Sequence, residues 1–193
     1  MPKYIVEHME DELYEWLRLE YAHLASTIPE SDVLITNLPS SAVEPLSKVD
    51  QSVRLPPATD KSVASLVSER EKEPFNTSSD TGTSFVIPPP SRVCFLDEVG
   101  TTELRPDDAE RFDWFVFGGI LGDVSTGEYE AERKDRGKSV REAQRFEVRH
   151  LGPHQFPVDH AVLCARLILE KGRSLDQISF APGPPTIFPV GSG

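Results

Sequence analysis

Apolar positions in this chain fall in short blocks, and the spacing inside each block marks its element. Tyr4-Ile5-Val6-Glu7-His8 reads as a strand that opens a sheet, and Val33-Leu34-Ile35-Thr36 as a second. Between them Leu13, Trp16, Leu17, Tyr21 and Leu24 recur at helical spacing. A helix is therefore expected from Asp11 to about Ser26, with its aromatic stripe in the core. Arg92-Val93-Cys94-Phe95-Leu96 is a third strand. Pro106, followed by Asp107 and Asp108, starts a helix, since proline suits the first turn and acids suit the positive end of the dipole. That helix is short, because the apolar strand Asp113-Trp114-Phe115-Val116-Phe117 follows and runs into Gly118-Gly119-Ile120-Leu121-Gly122-Asp123. Ser125 to Arg145 is polar and charged, with breaks at Gly127 and Gly137. Phe146-Glu147-Val148-Arg149 is another strand, ending at Leu151-Gly152-Pro153. Val158 to Glu170 carries Val158, Ala161, Val162, Ala165 and Ile168 on one helical face, with Gly172 as its C-cap. Ile178-Ser179-Phe180 is expected to add a last strand. Strands alternating with helices predict an α/β fold with a mainly parallel sheet.

From Asn37 to Ser91 the pattern fades. Prolines 39, 45, 56, 57, 74 and 88 to 90 punctuate a stretch rich in Ser, Thr and acids. Such sequence buries too little apolar surface to offset its ordering entropy, so residues 37–91 are expected to be a largely disordered insertion, with a turn or two of helix near Lys61 to Arg70. The expected organisation is one domain over residues 1–180, interrupted by that insertion, followed by a mobile Pro/Gly tail at 181–193.

The chain has 193 residues, enough for one domain with a substantial core. No apolar run reaches the eighteen or so residues that span a bilayer, and the start Met1-Pro2-Lys3-Tyr4-Ile5-Val6-Glu7 lacks a signal-peptide layout, so a cytoplasmic protein is expected. Cys94 and Cys164 each sit in an apolar run and read as buried free thiols. The net charge of -12 repels a phosphate backbone and favours a cationic partner.

Ligands of open parallel sheets gather at the carboxyl ends of the strands. Three loops hold such positions: the one beginning Asp97-Glu98-Val99-Gly100-Thr101, the Gly118 to Asp123 run, and His150-Leu151-Gly152-Pro153-His154-Gln155-Phe156-Pro157. Paired glycines after a buried strand let a ligand approach backbone closely. The run is neither a dinucleotide fingerprint nor a P-loop.

Leu104-Arg105-Pro106-Asp107-Asp108-Ala109, and then Phe112 to Asp123 with its core Phe-Val-Phe-Gly-Gly-Ile-Leu-Gly-Asp, resemble the signature of the fungal SPOUT-type protein arginine methyltransferases. Tyr4 to Glu10, Glu15-Trp16, Leu19-Glu20-Tyr21, Arg92 to Asp97, Leu151-Gly152, Gln155 and Asp159 are similar to the same family's pattern. The resemblance implies a SPOUT fold with a deep trefoil knot in the C-terminal part of the domain. It implies bent S-adenosyl-L-methionine held by the three loops, with Leu96, Gly118, Gly119, Ile120, Gly122, Leu151, Gly152 and Phe156 lining the pocket. It also implies monomethylation of an arginine on a small-subunit ribosomal protein by a monomeric enzyme. After Asp123 the chain departs from the pattern, with Val124-Ser125-Thr126-Gly127 in place of a proline-containing segment.

Arginine is a weak nucleophile because its guanidinium stays protonated, so carboxylates must orient it, balance its charge and accept a proton. Asp123, which ends the glycine run, and Glu7, which ends the first strand, are the candidate guanidinium-binding carboxylates, with Asp159 third. The plain alternatives are turn capping for Asp123, a solvated strand end for Glu7 and a first-turn helix acid for Asp159. Arg136 is a candidate for the cofactor carboxylate, against a plain solvated charge within Glu132 to Arg136. His150, His154, His160 and Cys164 have a superficially zinc-like spacing, but they flank a turn and ride a helix rather than forming paired knuckles, so no metal is expected. Two rival functions are an RNA methyltransferase of the same superfamily, against which the acidic charge stands, and a non-catalytic cofactor-binding, ribosome-associated module.

Overall fold

The computed structural model describes residues 1–42, 55–72, 85–118, 146–153 and 156–178. Among these residues five strands form one sheet, β1 (Lys3–Glu7), β2 (Val33–Thr36), β3 (Val93–Leu96), β4 (Trp114–Gly118) and β5 (Glu147–Arg149), in the order β2-β1-β4-β3-β5. Every pairing is parallel, as the alternation of elements predicts. Parallel strands must be covered on both faces. Tyr4, Val6, Val33, Ile35, Cys94, Phe115 and Phe117 pack with helices α1 (Glu15–Thr27) and α4 (Val158–Lys171). The alternate positions Ile5, Leu34, Val93, Phe95, Trp114 and Val116 pack with α2 (Val63–Lys72) and with Phe85, Ile87 and Phe146. The remaining helix, α3 (Asp108–Arg111), is the short one expected before β4.

Helix α1 begins at Glu15, four residues later than its periodicity suggests. The intervening residues turn back locally, with the Tyr14 hydroxyl donating to Asp11 Oδ1 at 2.9 Å. Leu17, Tyr21 and Leu24 of the expected stripe are buried. Helix α4 ends on Gly172 in the left-handed region, φ 65°, as its sequence predicts. Both cysteines are free and buried.

The stretch expected to be a disordered insertion is in part structural. Residues 55–62 run along β2, bridging Ala58 to Ile35, and cover its edge. Helix α2 then sends Val63, Leu66 and Val67 into the second face of the sheet. Composition concealed this because three apolar residues at i, i+3 and i+4 suffice to seat a ten-residue helix on a sheet, however polar its other face. Residues 43–54 and 73–84 of that stretch lie outside the described residues, as do the tail, Ser179 and Phe180. Ile178 continues from a short 3-10 turn rather than a strand. The expected knot turns on the chain between Gly118 and Phe146, where residues 119–145 are likewise not described.

Candidate functional site

The carboxyl ends of β1, β4, β3 and β5 lie side by side, and the register states their order. Glu7 pairs with Gly118, Phe117 with Leu96, and Leu96 with Arg149. The three loops therefore leave the sheet next to one another, with Glu7 one strand away from the start of the glycine run.

The first and third loops are joined through their backbones. The Asp97 N–H donates to the Arg149 carbonyl at 2.9 Å, His150 N–H to Thr102 O at 3.0 Å, and Leu104 N–H to His150 O at 3.0 Å. This approach depends on Gly100, where a Cβ would lie 2.9 Å from the Arg149 carbonyl carbon. Gly152 has φ +80°, a conformation that favours glycine, and its N–H donates to His150 Nδ1 at 3.1 Å. A Cβ there would also meet Leu175 at 2.9 Å. Short β5 is anchored from the side. Arg149, 5% exposed, donates from Nε to both oxygens of Asp108 at 3.2 and 3.1 Å, and from Nη2 to Glu147 at 3.1 Å. Its guanidinium lies 5.3 Å from the centre of the Phe112 ring. A buried ion pair of this kind fixes geometry more than it adds stability.

Leu96 and Leu151 are buried on the α1/α4 face, and Phe156 packs against the same cluster. Apolar walls beside side-chain-free backbone turns suit a ligand with a flat ring and polar rims. Of the expected cofactor-lining residues, Leu96 and Gly118 stand at the ends of neighbouring strands, Leu151 and Gly152 follow β5, and Phe156 packs against the core beneath α1 and α4. Gly119, Ile120, Gly122, Arg136 and the candidate carboxylate Asp123 lie outside the described residues.

Glu7 is 1% exposed. Its Oε2 accepts from the Thr36 hydroxyl at 2.5 Å and from the Val63 N–H at 2.9 Å, while Oε1 is buried with no hydrogen-bond partner among the described residues. Burial pushes its titration up to about 7, against the two hydrogen bonds that pull it down. Asp159 is placed differently. One oxygen meets His23 Nδ1 of α1 at 2.6 Å, and the other takes the His160 ring and N–H at 2.9 and 2.8 Å. Both oxygens are occupied, Oδ2 in tying α1 to α4 and Oδ1 within α4. Burial raises its titration, but the two histidines outweigh this and hold it below the ordinary carboxylate range.

Sequence reasoning singled out neither Glu20 nor His8 for a role. Burial, with the Asp159 charge second, pushes Glu20 up to about 7, and its Oε2 is buried without a partner among the described residues. His8 is fully buried, its Nδ1 lies 2.9 Å from the Tyr21 hydroxyl, and burial lowers its titration below the ordinary histidine value. The available signal was positional: Glu20 falls within the apolar stripe between Leu17 and Leu24, and His8 extends the Tyr4 and Val6 alternation. Of the groups with zinc-like spacing, His160 is engaged by Asp159 and His150 accepts from the Gly152 N–H, Cys164 is buried in the core, and His154 lies outside the described residues. Among the described residues no group of three His, Cys, Asp or Glu side chains is placed to hold a metal.

The model of a family described as protein arginine N-methyltransferase, SFM1-like, matches residues 3–188. The chain belongs to this family. Protein arginine N-methyltransferase SFM1 of Saccharomyces cerevisiae is 31% identical over 187 residues, which cover 94% of this chain and 78% of that protein. The crystal structure of the yeast SFM1 arginine methyltransferase complexed with SAH superposes with a TM-score of 0.70, at 31% identity, over 94% of this chain and 78% of that one. The same enzyme complexed with SAM gives 0.68, at 30% identity, over 95% and 74%. SFM1-like membership agrees with the parallel α/β sheet and with the resemblance carried by the glycine run. Among the described residues no helix is long and apolar enough to cross a membrane.

Proposed function

We propose that this SFM1-like protein is an S-adenosyl-L-methionine-dependent protein arginine N-methyltransferase that monomethylates an arginine of a small-subunit ribosomal protein, acting as a monomer in the cytoplasm. The observation that carries the reading is the register of β1 with β4. It sets a buried carboxyl group, Glu7, beside the first glycine of the turn that the resemblance assigns to the cofactor. Leu96, Gly118, Leu151, Gly152 and Phe156 would hold the cofactor together with Gly119, Ile120, Gly122 and Arg136, within a trefoil knot formed by the three loops.

The cofactor supplies an electrophilic methyl carbon: the guanidinium nitrogen forms the N–C bond, the C–S pair leaves with sulfur, and the nitrogen gives up one proton. The protein orients the guanidinium and receives that proton. Glu7 and Asp123 are the carboxylates for this work. An acid that titrates near neutrality, as Glu7 does, both binds a cation and accepts a proton at working pH. Asp159, the third candidate, has its oxygens engaged by His23 and His160 and serves instead to join α1 to α4. The net charge of -12 suits a basic protein substrate.

Incubation with methyl-labelled cofactor and separated small-subunit ribosomal proteins tests the reading. Label on one arginine of one protein is expected. Transfer to naked RNA instead, or cofactor binding with no transfer to any protein, would sink it. Asp123→Asn is expected to lower kcat by about a hundredfold or more while leaving cofactor affinity within about twofold, measured by single-turnover kinetics and calorimetry.

A further inference from the structure

We propose that Thr36 is a positioning residue of the methyl-transfer site, holding one oxygen of Glu7 so that the other stays free for the substrate arginine. This rests on the reading of Glu7 as a guanidinium-binding carboxylate.

Thr36 and Glu7 are paired residues of neighbouring parallel strands and both end their strands. The Thr36 hydroxyl donates to Glu7 Oε2 at 2.5 Å, and the Val63 N–H at the start of α2 donates to the same oxygen at 2.9 Å. Two donors on one oxygen leave the carboxylate plane little freedom. They also leave Oε1 with no donor among the described residues, although Glu7 is 1% exposed and Thr36 fully buried. A carboxylate present only to cap α2 would have no need of this arrangement, because Ser62 Oγ already accepts the Ser65 N–H at 3.1 Å. A buried acceptor without a donor is costly, and a catalytic or binding role is one of the few reasons a folded protein keeps one. A guanidinium has N–H groups only to donate, and it surrenders a proton when methylated, so it fits an oxygen held in this way.

Thr36 is itself fixed. Its carbonyl accepts the His8 N–H at 2.9 Å, and Asn37, at φ 57°, donates from its side chain to the His8 carbonyl at 2.8 Å. Thr36 of β2 and the Val63 N–H of α2 reach the Glu7 carboxyl, the Tyr21 hydroxyl on α1 feels its charge, and Gly118 of β4 beside it brings no charge. The segment that looked like an insertion thus shapes the site, since Val63 belongs to it.

The test compares Thr36→Val, Thr36→Ser and Glu7→Gln in the full-length protein. Thr36→Val removes the hydroxyl at nearly constant volume. Its kcat is expected to fall about tenfold near pH 7, with cofactor affinity unchanged, and the defect is expected to shrink towards pH 9. The sign follows from the lost hydrogen bond: the Thr36 hydroxyl lowers the Glu7 titration, so without it Glu7 ionises only at higher pH. Thr36→Ser restores the donor and is expected to return kcat to within about threefold of the parent. Should Thr36→Val fail to fold by circular dichroism, Thr36→Ala read against Thr36→Ser makes the same comparison. Parent-like kcat and pH profile in the variant lacking the hydroxyl, with Glu7→Gln impaired, would overturn the positioning role alone. Parent-like kcat in Glu7→Gln would overturn the reading of Glu7 itself.

Discussion

Glu7 is costly to the fold in its charged form, and this gives its chemistry a signature in stability. A carboxyl group whose titration is raised to about 7 by burial holds its proton more tightly folded than unfolded. Its contribution to stability is full below the unfolded value near 4.5 and is lost as pH rises through about 7. Glu7→Gln removes that loss, so the fall in unfolding free energy between pH 5 and pH 8 is expected to shrink by on the order of 2–3 kcal/mol, measured by urea denaturation across the range. An unaltered fall would mean that Glu7 is hydrated and titrates as an ordinary acid. Asp159 has the opposite sign. Its titration is held low by His23 and His160 against burial, so its contribution is present above the unfolded value near 3.8 and is lost as pH falls through the folded one. Asp159→Ala is expected to cost about 1–3 kcal/mol at neutral pH in chemical denaturation and to leave the chemical step intact. A loss of kcat without loss of stability would return Asp159 to the catalytic group. In both cases the sequence named the residue, but only the neighbours decide its task. Glu7 stands beside a glycine strand end, whereas Asp159 faces two histidines, one of them 136 positions away.

At the level of elements, periodicity located the five strands of the described residues within a residue at either end, because each is a short apolar block bounded by polar or proline-rich sequence, while Ile178 follows a 3-10 turn where the pattern predicts the start of a last strand. It also found the buried faces of α1 and α4. It missed the weight of α2, whose Val63, Leu66 and Val67 are sparse among Ser, Glu and Lys, and whose burial depends on a sheet face built from distant strands. The glycine run was legible as a turn. The junction between the first and third loops was not, since hydrogen bonds from Asp97 to Arg149 and from Leu104 to His150 leave no trace in local composition. Gly100 is the point at which that junction can be tested. An alanine there would press its Cβ to 2.9 Å from the Arg149 carbonyl carbon, backbone against backbone, so neither side can yield cheaply. Gly100→Ala is expected to weaken cofactor binding by about tenfold or more in calorimetry, with a destabilisation of about 1–3 kcal/mol. Parent-like affinity would show that the cofactor site does not depend on the joined loops.

Across the whole molecule, the strand order β2-β1-β4-β3-β5 is the feature that no window of sequence contains. It brings residue 7, residue 97 and residues 118 and 150 to one edge, and it concentrates acids there as well. The raised titration of Tyr21, caused first by burial and then by Glu20, Glu10 and Glu7, shows three carboxylates acting on one hydroxyl near the end of β1. With a net charge of -12, such an edge attracts a basic protein before any contact forms. Screening shortens the reach of that field from about 10 Å at 0.1 M salt to about 3 Å at 1 M. The apparent KM for a basic protein substrate is therefore expected to rise several-fold between about 0.05 and 0.3 M salt, while kcat at saturation changes by less than about twofold. A short uncharged peptide carrying a single arginine is expected to show a much flatter profile, because it presents one cation to the site and none to the surrounding field. Equal salt dependence for the two substrates would locate recognition in the arginine pocket alone. A flat profile for both would mean that the acidic surface serves solubility rather than substrate capture.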